Sequence, residues 1–273
     1  MSLEGRTCVV TGAAGGLGRE IALAMARAGA GVAICDVNEA GLLEAAKQIE
    51  ALGRQVLAER CDVSSSAAVN AFFDKVAARF GAADILVNNA AIVPTTPADE
   101  ARRNQHYAYI TSPQPRRSLG FTSAMSDEDW HRFWDVNVHG VFYCTRAALR
   151  QMEPRGYGRI VNVASIAGLS SFSAHSPHYS ATKGAVIAFT RSVAAEVAGG
   201  GVFVNAIAPG GVMTPAFKAY LDKMPEAERN RLFQIVPAGR LGTMAEYAGL
   251  AVYLAGDGHY LAGQVISPNG GMF

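Results

Sequence analysis

The sequence predicts a doubly wound α/β fold built on a seven-stranded parallel sheet, and three observations carry that reading. Short β-branched runs alternate along the chain with longer stretches of helical period. The runs are almost continuously apolar, as strands covered on both faces by crossover helices must be. A glycine-rich turn, Thr11–Gly18 (TGAAGGLG), joins the first run to the first helical stretch.

In chain order the strands are expected near Thr7–Thr11, Val32–Asp36, Val56–Cys61, Ile85–Asn88, Ile160–Ala164, Val202–Ile207 and Gln264–Ser267, with the first helix over Arg19–Ala28. The 273 residues, half of them apolar, suit one domain spanning 1–273. Two connections are long: Ile92–Ser126 after the fourth strand and Gly210–Pro237 after the sixth. Both leave from carboxyl ends of strands, the side on which open parallel sheets bind ligands. Within the first, residues 94–118 read as a polar insertion. Its Arg102, Arg103, Arg116 and Arg117, with Tyr107 and Tyr109, are expected to form a solvated loop, in preference to a clamp for an acidic substrate. Residues 210–237 read as a substrate loop.

The 24 Lys and Arg against 23 Asp and Glu leave a net charge of +1, so no basic face for nucleic acid or anionic lipid is expected. The chain shows neither a signal-peptide pattern nor an apolar run long enough for a membrane helix, and it ends without a lipidation signal. The expectation is a cytoplasmic protein whose partners are a small molecule and further copies of itself. Cys8, Cys35, Cys61 and Cys144 lack CxxC or metal-ligand spacing and read as core thiols, with no metal site.

In the glycine turn, Gly12 permits the tight bend, Gly16 lets backbone approach a pyrophosphate, and Gly18 lets helix pack on strand. Gly15 and Leu17 complete the loop, whose helix N–H groups and dipole favour the anion. Asp36 ends the second strand, where a carboxylate accepts hydrogen bonds from adenosine ribose hydroxyls. A 2′-phosphate there would bring about −1.5 to −2 charge. One like-charge pair near 4 Å costs about 4 kcal/mol at an effective dielectric near 20. Residues 13–15 supply no cation and Arg19 is read as badly placed, so NAD is the cofactor expected. Asp62, followed by Val63, is placed to receive the adenine amino group. Asn88-Asn89-Ala90 closes the fourth strand, with Asn88 expected to meet the adenosine side by backbone or side chain and Asn89 in the cofactor set.

Ser165 ends the fifth strand, and Tyr179-Ser-Ala-Thr-Lys183 opens a helix, so Tyr179 and Lys183 share a face at i and i+4. A phenol with an ordinary pKa near 10 is a sluggish base, and lowering it by three units needs about 4 kcal/mol. Lys183 and an oxidised nicotinamide are the available cations. Ser165 can hold the substrate oxygen, and Asn137 can anchor a water linking Lys183 to solvent. His175 and His178, close to Tyr179, are read as a loop and a helix-start histidine without a catalytic part.

At these residues the chain resembles the short-chain dehydrogenase/reductase superfamily. TGAAGGLG fits the TGxxxGxG loop, and Asn137, Ser165, Tyr179 and Lys183 fit the catalytic tetrad. Asn205-Ala-Ile-Ala-Pro209-Gly210 with Val212 and Thr214, and the ending Gly263–Gly271, match further. The resemblance implies a Rossmann fold, a homo-oligomer (tetramer or dimer), a YxxxK proton relay, a Lys183 bond to the nicotinamide ribose, and Thr214 against the carboxamide. It implies an NAD-dependent alcohol dehydrogenase or ketone reductase. Two other readings are a 3-ketoacyl thioester reductase and a non-catalytic NAD-binding regulator. Phe217, Tyr220, Phe233, Tyr107 and Tyr109 suggest a bulky or aromatic substrate. Three departures stand out: Ala91 replaces a customary glycine, the Ser165–Tyr179 interval is one residue longer than usual, and the Asn88–Asn137 interval is about twenty longer.

Overall fold

Strand ends and helix starts determine where any ligand of this fold sits. The computed structural model describes residues 1–272, apart from the side chains of Glu228, Arg231 and Leu232. Its strands are β1 (Thr7–Thr11), β2 (Gly31–Asp36), β3 (Val56–Arg60), β4 (Ile85–Asn88), β5 (Gly158–Val163), β6 (Val202–Ile207), β7 (Val212–Met213), β8 (Gly242–Thr243) and β9 (Val265–Ile266). The helices are α1 (Gly16–Arg27), α2 (Glu39–Glu50), α3 (Ser66–Phe80), α4 (Pro97–Ile110), α5 (Asp127–Trp134), α6 (Gly140–Met152), α7 (Pro177–Val197), α8 (Pro215–Asp222), α9 (Glu226–Gln234) and α10 (Met244–Ala255).

Seven strands form one parallel sheet in the order β3-β2-β1-β4-β5-β6-β9. The period of two decides which layer each residue joins. Cys8, Val10, Val32, Ile34 and Val87 pack on one side with Ile21 and Met25 of α1, Leu42 and Ile49 of α2, and Ala248 and Ala251 of α10. Val9, Ala33, Cys35 and Leu86 pack on the other with Phe72 and Phe73 of α3, Ala147 and Met152 of α6, and Val193 and Val197 of α7. Burying a side chain such as Ile21 completely contributes about 1.5–3 kcal/mol, which is why α1 presents that face inward. All four cysteines lie in the buried interior as free thiols.

The chain order reverses between β1 and β4, so the crevice opens where the loops after these strands diverge. All seven expected strands are present. The last is shorter than Gln264–Ser267, covering Val265–Ile266, and a two-stranded parallel pair of β7 with β8 was not anticipated.

The insertion departs most from expectation, because residues 97–110 form α4 and not a solvated loop. Thr96 caps it: its hydroxyl accepts from the Asp99 amide, and the Asp99 carboxylate accepts from the Thr96 amide at 3.0 Å. Pro97 at the first helical position is pre-set for that start. Asp99 and His106 are buried, and Arg102 pairs with Asp99. Tyr109 fastens the chain that follows, its hydroxyl accepting from the Arg117 amide at 2.6 Å with the Arg116 guanidinium over its ring.

Candidate active site

The glycine loop is shaped by what it cannot accommodate. A methyl group on Gly18 would lie 2.1 Å from the Gly12 carbonyl oxygen and 2.3 Å from Asn89 Nδ2. Gly12 takes φ +66° and sits so near β4 that a methyl there would lie 2.7 Å from Ala90 Cα. Asn89 closes the approach by donating from Nδ2 to the carbonyls of Thr11 (3.1 Å) and Gly12 (3.0 Å). The space before Gly15 and Gly16 is open, since a methyl on either meets nothing within 4 Å. Leu17 packs inward against the core on the α1 side.

Beside this loop lies a cleft of about 360 Å³ lined by Gly12, Asp36, Asp62, Val63, Asn89 and Ala91, among others. Asp36 accepts from the amides of Ala14 and Asn38, both at 3.0 Å, so its carboxylate is held at the cleft edge. Asp62 accepts from the Ser64 amide at 2.9 Å and the Ser64 hydroxyl at 2.7 Å. Ala91 lines the cleft, where the family's customary glycine would leave more room.

One assignment on this side changes in part. The Asn88 side chain is turned away from the cleft: it is buried and donates to Thr145 (3.0 Å) and to Asn162 (2.8 Å), which donates to Thr190, so only its backbone is left for the cleft side. The strand's period of two turns Asn88 inward and leaves Asn89 for the cleft. Arg19, at the start of α1, turns its guanidinium to the Ala14 carbonyl and, at 3.4 Å, to that of Gly41.

Tyr179 and Lys183 lie on the first turns of α7. Ser165, two residues past β5, accepts from the Ala167 amide at 3.1 Å and is near enough to the Tyr179 phenol to favour its ionised form. The turn after Ser165 presses on α7, where a methyl on Gly168 would lie 2.6 Å from the Lys183 carbonyl carbon. Lys183 is buried, with Nζ 5.8 Å from the Tyr179 ring centroid and donating to the Val163 carbonyl at 2.7 Å. Burial pushes the Tyr179 phenol above its ordinary value, opposed by Ser165. It pulls the Lys183 ammonium down to about 8. The protein alone therefore does not lower the phenol, because desolvation outweighs its neighbours.

Asn137 lies in a single π-helical turn, Asp135–His139, between α5 and α6, a feature common at functional sites. Its Oδ1 accepts from the Ile92 amide at 2.7 Å, and its Nδ2 donates to the Ile92 carbonyl (3.0 Å) and to Thr182 (3.2 Å). The side chain thus fastens the loop after β4 to α7. Ile92 and Thr182 complete this clasp, and the sequence reading passed over both.

On the far side of the tetrad, Pro209 accepts from the Ile166 amide at 2.9 Å, and Gly210 approaches Asn269 so closely that a methyl would lie 2.8 Å from its Cα. Val212 lies in β7, and Thr214 caps α8 by accepting from the Phe217 amide at 3.1 Å. Phe217 and Phe233 pack around Leu221, Val236 and Leu241, so much of their surface covers this segment's own small core. Tyr220 reaches out to the insertion, donating to Asn104 Oδ1 at 2.9 Å.

His175 and His178 are not solvated. His178 is buried with its ring 4.0 Å from that of Phe133, and His175 is buried with Nδ1 3.3 Å from His106 Nδ1 on α4. Burial holds His175 down at about 4, with further lowering from His106, Arg103 and Arg102 and a raising effect of Asp99. An unfolded imidazole protonates near 6.5, so between 6.5 and about 4 the unfolded chain holds more protons than the folded one. Stability is fully present above 6.5 and is lost as pH falls through that window. Urea midpoints measured across it are expected to decline, and to decline less in His175→Gln.

The fit of a dinucleotide is open to a steric test. Gly15→Ala places a methyl in the open space before the loop, so stability is expected to stay within about 0.5 kcal/mol of the parent while cofactor affinity falls about tenfold. Gly18→Ala is expected to cost about 2 kcal/mol of stability as well. Thermal melts and NADH fluorescence titrations separate the two effects.

Comparison with known proteins agrees with this geometry. Residues 6–112 match the family model described as short chain dehydrogenase, and residues 114–273 match one described as enoyl-(acyl carrier protein) reductase. The 3-oxoacyl-(acyl-carrier-protein) reductase FabG of Thermotoga maritima is 34% identical over 100% of this chain and 99% of its own. The (2S)-[(R)-hydroxy(phenyl)methyl]succinyl-CoA dehydrogenase subunit BbsD of Thauera aromatica is 32% identical over 99% of this chain and 98% of its own. Among solved structures, a putative gluconate dehydrogenase from Agrobacterium tumefaciens superposes with a TM-score of 0.85 at 31% identity, covering 99% of this chain and 97% of that one. With both halves matched and relatives similar along the full length, the chain belongs to the short-chain dehydrogenase/reductase superfamily.

Proposed function

We propose that this oxidoreductase transfers a hydride between NAD and a secondary alcohol or ketone, the substrate being bulky or aromatic. The observation that carries the reading is the grouping of Ser165, Tyr179 and buried Lys183, whose Nζ lies 5.8 Å from the Tyr179 ring centroid one turn further along α7. The glycine loop and the carboxylates of Asp36 and Asp62 fit a dinucleotide, with Gly12, Gly15, Gly16, Leu17 and Gly18 at its pyrophosphate. Val63 and Asn89 flank it, and Pro209, Gly210, Val212 and Thr214 lie toward its nicotinamide. When bound, that cofactor supplies or accepts the hydride.

In the reducing direction, the neutral Tyr179 phenol donates its proton to the carbonyl oxygen, which Ser165 holds by its hydroxyl. Lys183, with its pKa near 8, is the acid best placed to resupply Tyr179. In the oxidising direction Tyr179 takes the hydroxyl proton, which requires a phenolate that burial disfavours and a nearby positive charge favours. Asn137 acts through position, holding Ile92 and Thr182 on either side of this relay.

The name of the Thermotoga maritima relative favours a second reading, reduction of a 3-oxoacyl thioester, which the same four residues could serve. A non-catalytic NAD-binding role is disfavoured because binding alone needs no Tyr179. The protein is read as cytoplasmic and as a dimer or tetramer. Among the described residues no helix is long and apolar enough to cross a membrane. Phe142 on α6 is 40% exposed and Tyr260 97%, apolar surface suited to a second copy.

Tyr179→Phe is expected to lower kcat about a thousandfold while NADH binds within about threefold of the parent, as steady-state rates and fluorescence titration would register. Lys183→Ala is expected to weaken both. NAD is expected to exceed NADP by about tenfold in kcat/KM, and Asp36→Ala to bring the two within about threefold. Parity of the cofactors in the parent would remove the electrostatic argument from Asp36.

A further inference from the structure

Three segments meet through their side chains: α4 of the insertion, the loop that leads into α7 four residues before Tyr179, and α8. Their junction holds one arginine. The Arg103 guanidinium stands 4.7 Å over the Tyr220 ring of α8 and reaches the Pro94 carbonyl at 3.5 Å. It is also close enough to influence the ionisation of Tyr107 on its own helix and of His175 in the loop. His175 lies four residues before Tyr179, and its ring is 5.6 Å from that of Tyr107.

Arg103 stands, among the described residues, without an anion at a junction of aromatic side chains. Its neighbour Arg102 is paired with buried Asp99, and Arg132 with Asp129. Among the described residues Arg103 has no carboxylate partner, its one acceptor is a distant carbonyl, and its Nε is buried without any partner. A guanidinium has five donors in a planar fork, and one that is half removed from water gains most from a bidentate carboxylate. The phenols of Tyr107 and Tyr220 stand beside it, and burial keeps Tyr107 protonated and able to donate. Tyr220 is itself locked by Asn104.

We infer that Arg103, steadied over the Tyr220 ring and joined by the Tyr107 hydroxyl, recognises a carboxylate on the substrate, so that the alcohol oxidised is a hydroxy acid and the ketone reduced an oxo acid. The inference rests on the oxidoreductase reading and adds its substrate class. A carboxylate suits the site better than a phosphate, because Asp99 neutralises Arg102 and leaves a single positive charge with a flat donor edge.

The test pairs acids with their methyl esters: 3-hydroxybutanoate and 3-hydroxy-3-phenylpropanoate, each assayed in both forms with NAD, in the parent, Arg103→Met and Arg103→Lys. Melting curves establish that each variant is folded. The parent is expected to favour the acid over the ester about thirtyfold in kcat/KM, chiefly through KM. Arg103→Met is expected to erase that preference with ester turnover nearly unchanged, and Arg103→Lys to restore part of it. Equal or better use of the ester by the parent overturns the inference. So does a loss in Arg103→Met that falls equally on acid and ester, which would make Arg103 a staple between α4 and α8. If no acid is turned over while neutral alcohols are oxidised in a Tyr179-dependent way, the carboxylate assignment fails and the oxidoreductase reading stands. Failure with every alcohol and ketone removes that reading, and the inference with it.

Discussion

Asn89 holds the two halves of the sheet together at the point where their loops part. Its amide donates to Thr11 and Gly12 at the end of β1, from the end of β4, across the reversal of strand order. That bond fixes the backbone of the glycine loop, and it can form only because Gly18 has no side chain between the partners. Everything on the ligand side is placed relative to it. Asp36 is tied to the same loop through Ala14, and Ile92, just past Ala91, is clasped by Asn137. Two side-chain amides, of Asn89 and Asn137, thereby link the glycine loop to α7.

Around that frame the chemistry follows from burial acting oppositely on two groups. A buried phenol resists losing its proton, and a buried ammonium gives it up more readily. Tyr179 is therefore kept protonated before any cofactor is considered, with Lys183 as the more acidic group one turn away. Turning Tyr179 into a base needs additional positive charge. A positively charged nicotinamide is the natural source, so the direction of proton transfer would be coupled to the oxidation state of the cofactor.

Much of this was legible in the chain. The seven strands announced themselves because strands covered on both faces must be continuously apolar, and the glycine loop and YxxxK spacing encode close approaches that few other residues tolerate. The direction of the Asn88 side chain was not legible because a dipeptide of two asparagines does not reveal which one the strand turns inward. Helix α4 was missed because a helix that buries mainly Asp99 and His106 has no apolar stripe to betray it. Its signal lay in Thr96-Pro97-Ala98-Asp99, a capping box with proline at the first turn. The pairing of His106 with His175, and of Arg103 with Tyr220, joins residues far apart in sequence, and no local pattern foretells it.

The claim on which the account turns is that the protein alone keeps Tyr179 protonated and that an added positive charge releases it. Isotope-labelled tyrosine NMR can follow the Tyr179 titration directly, with Tyr179→Phe assigning the signal. A midpoint above the ordinary 10.0 is expected in the free chain, with a fall when oxidised NAD is added and little change with the reduced form. The same midpoint in all three states would contradict the account.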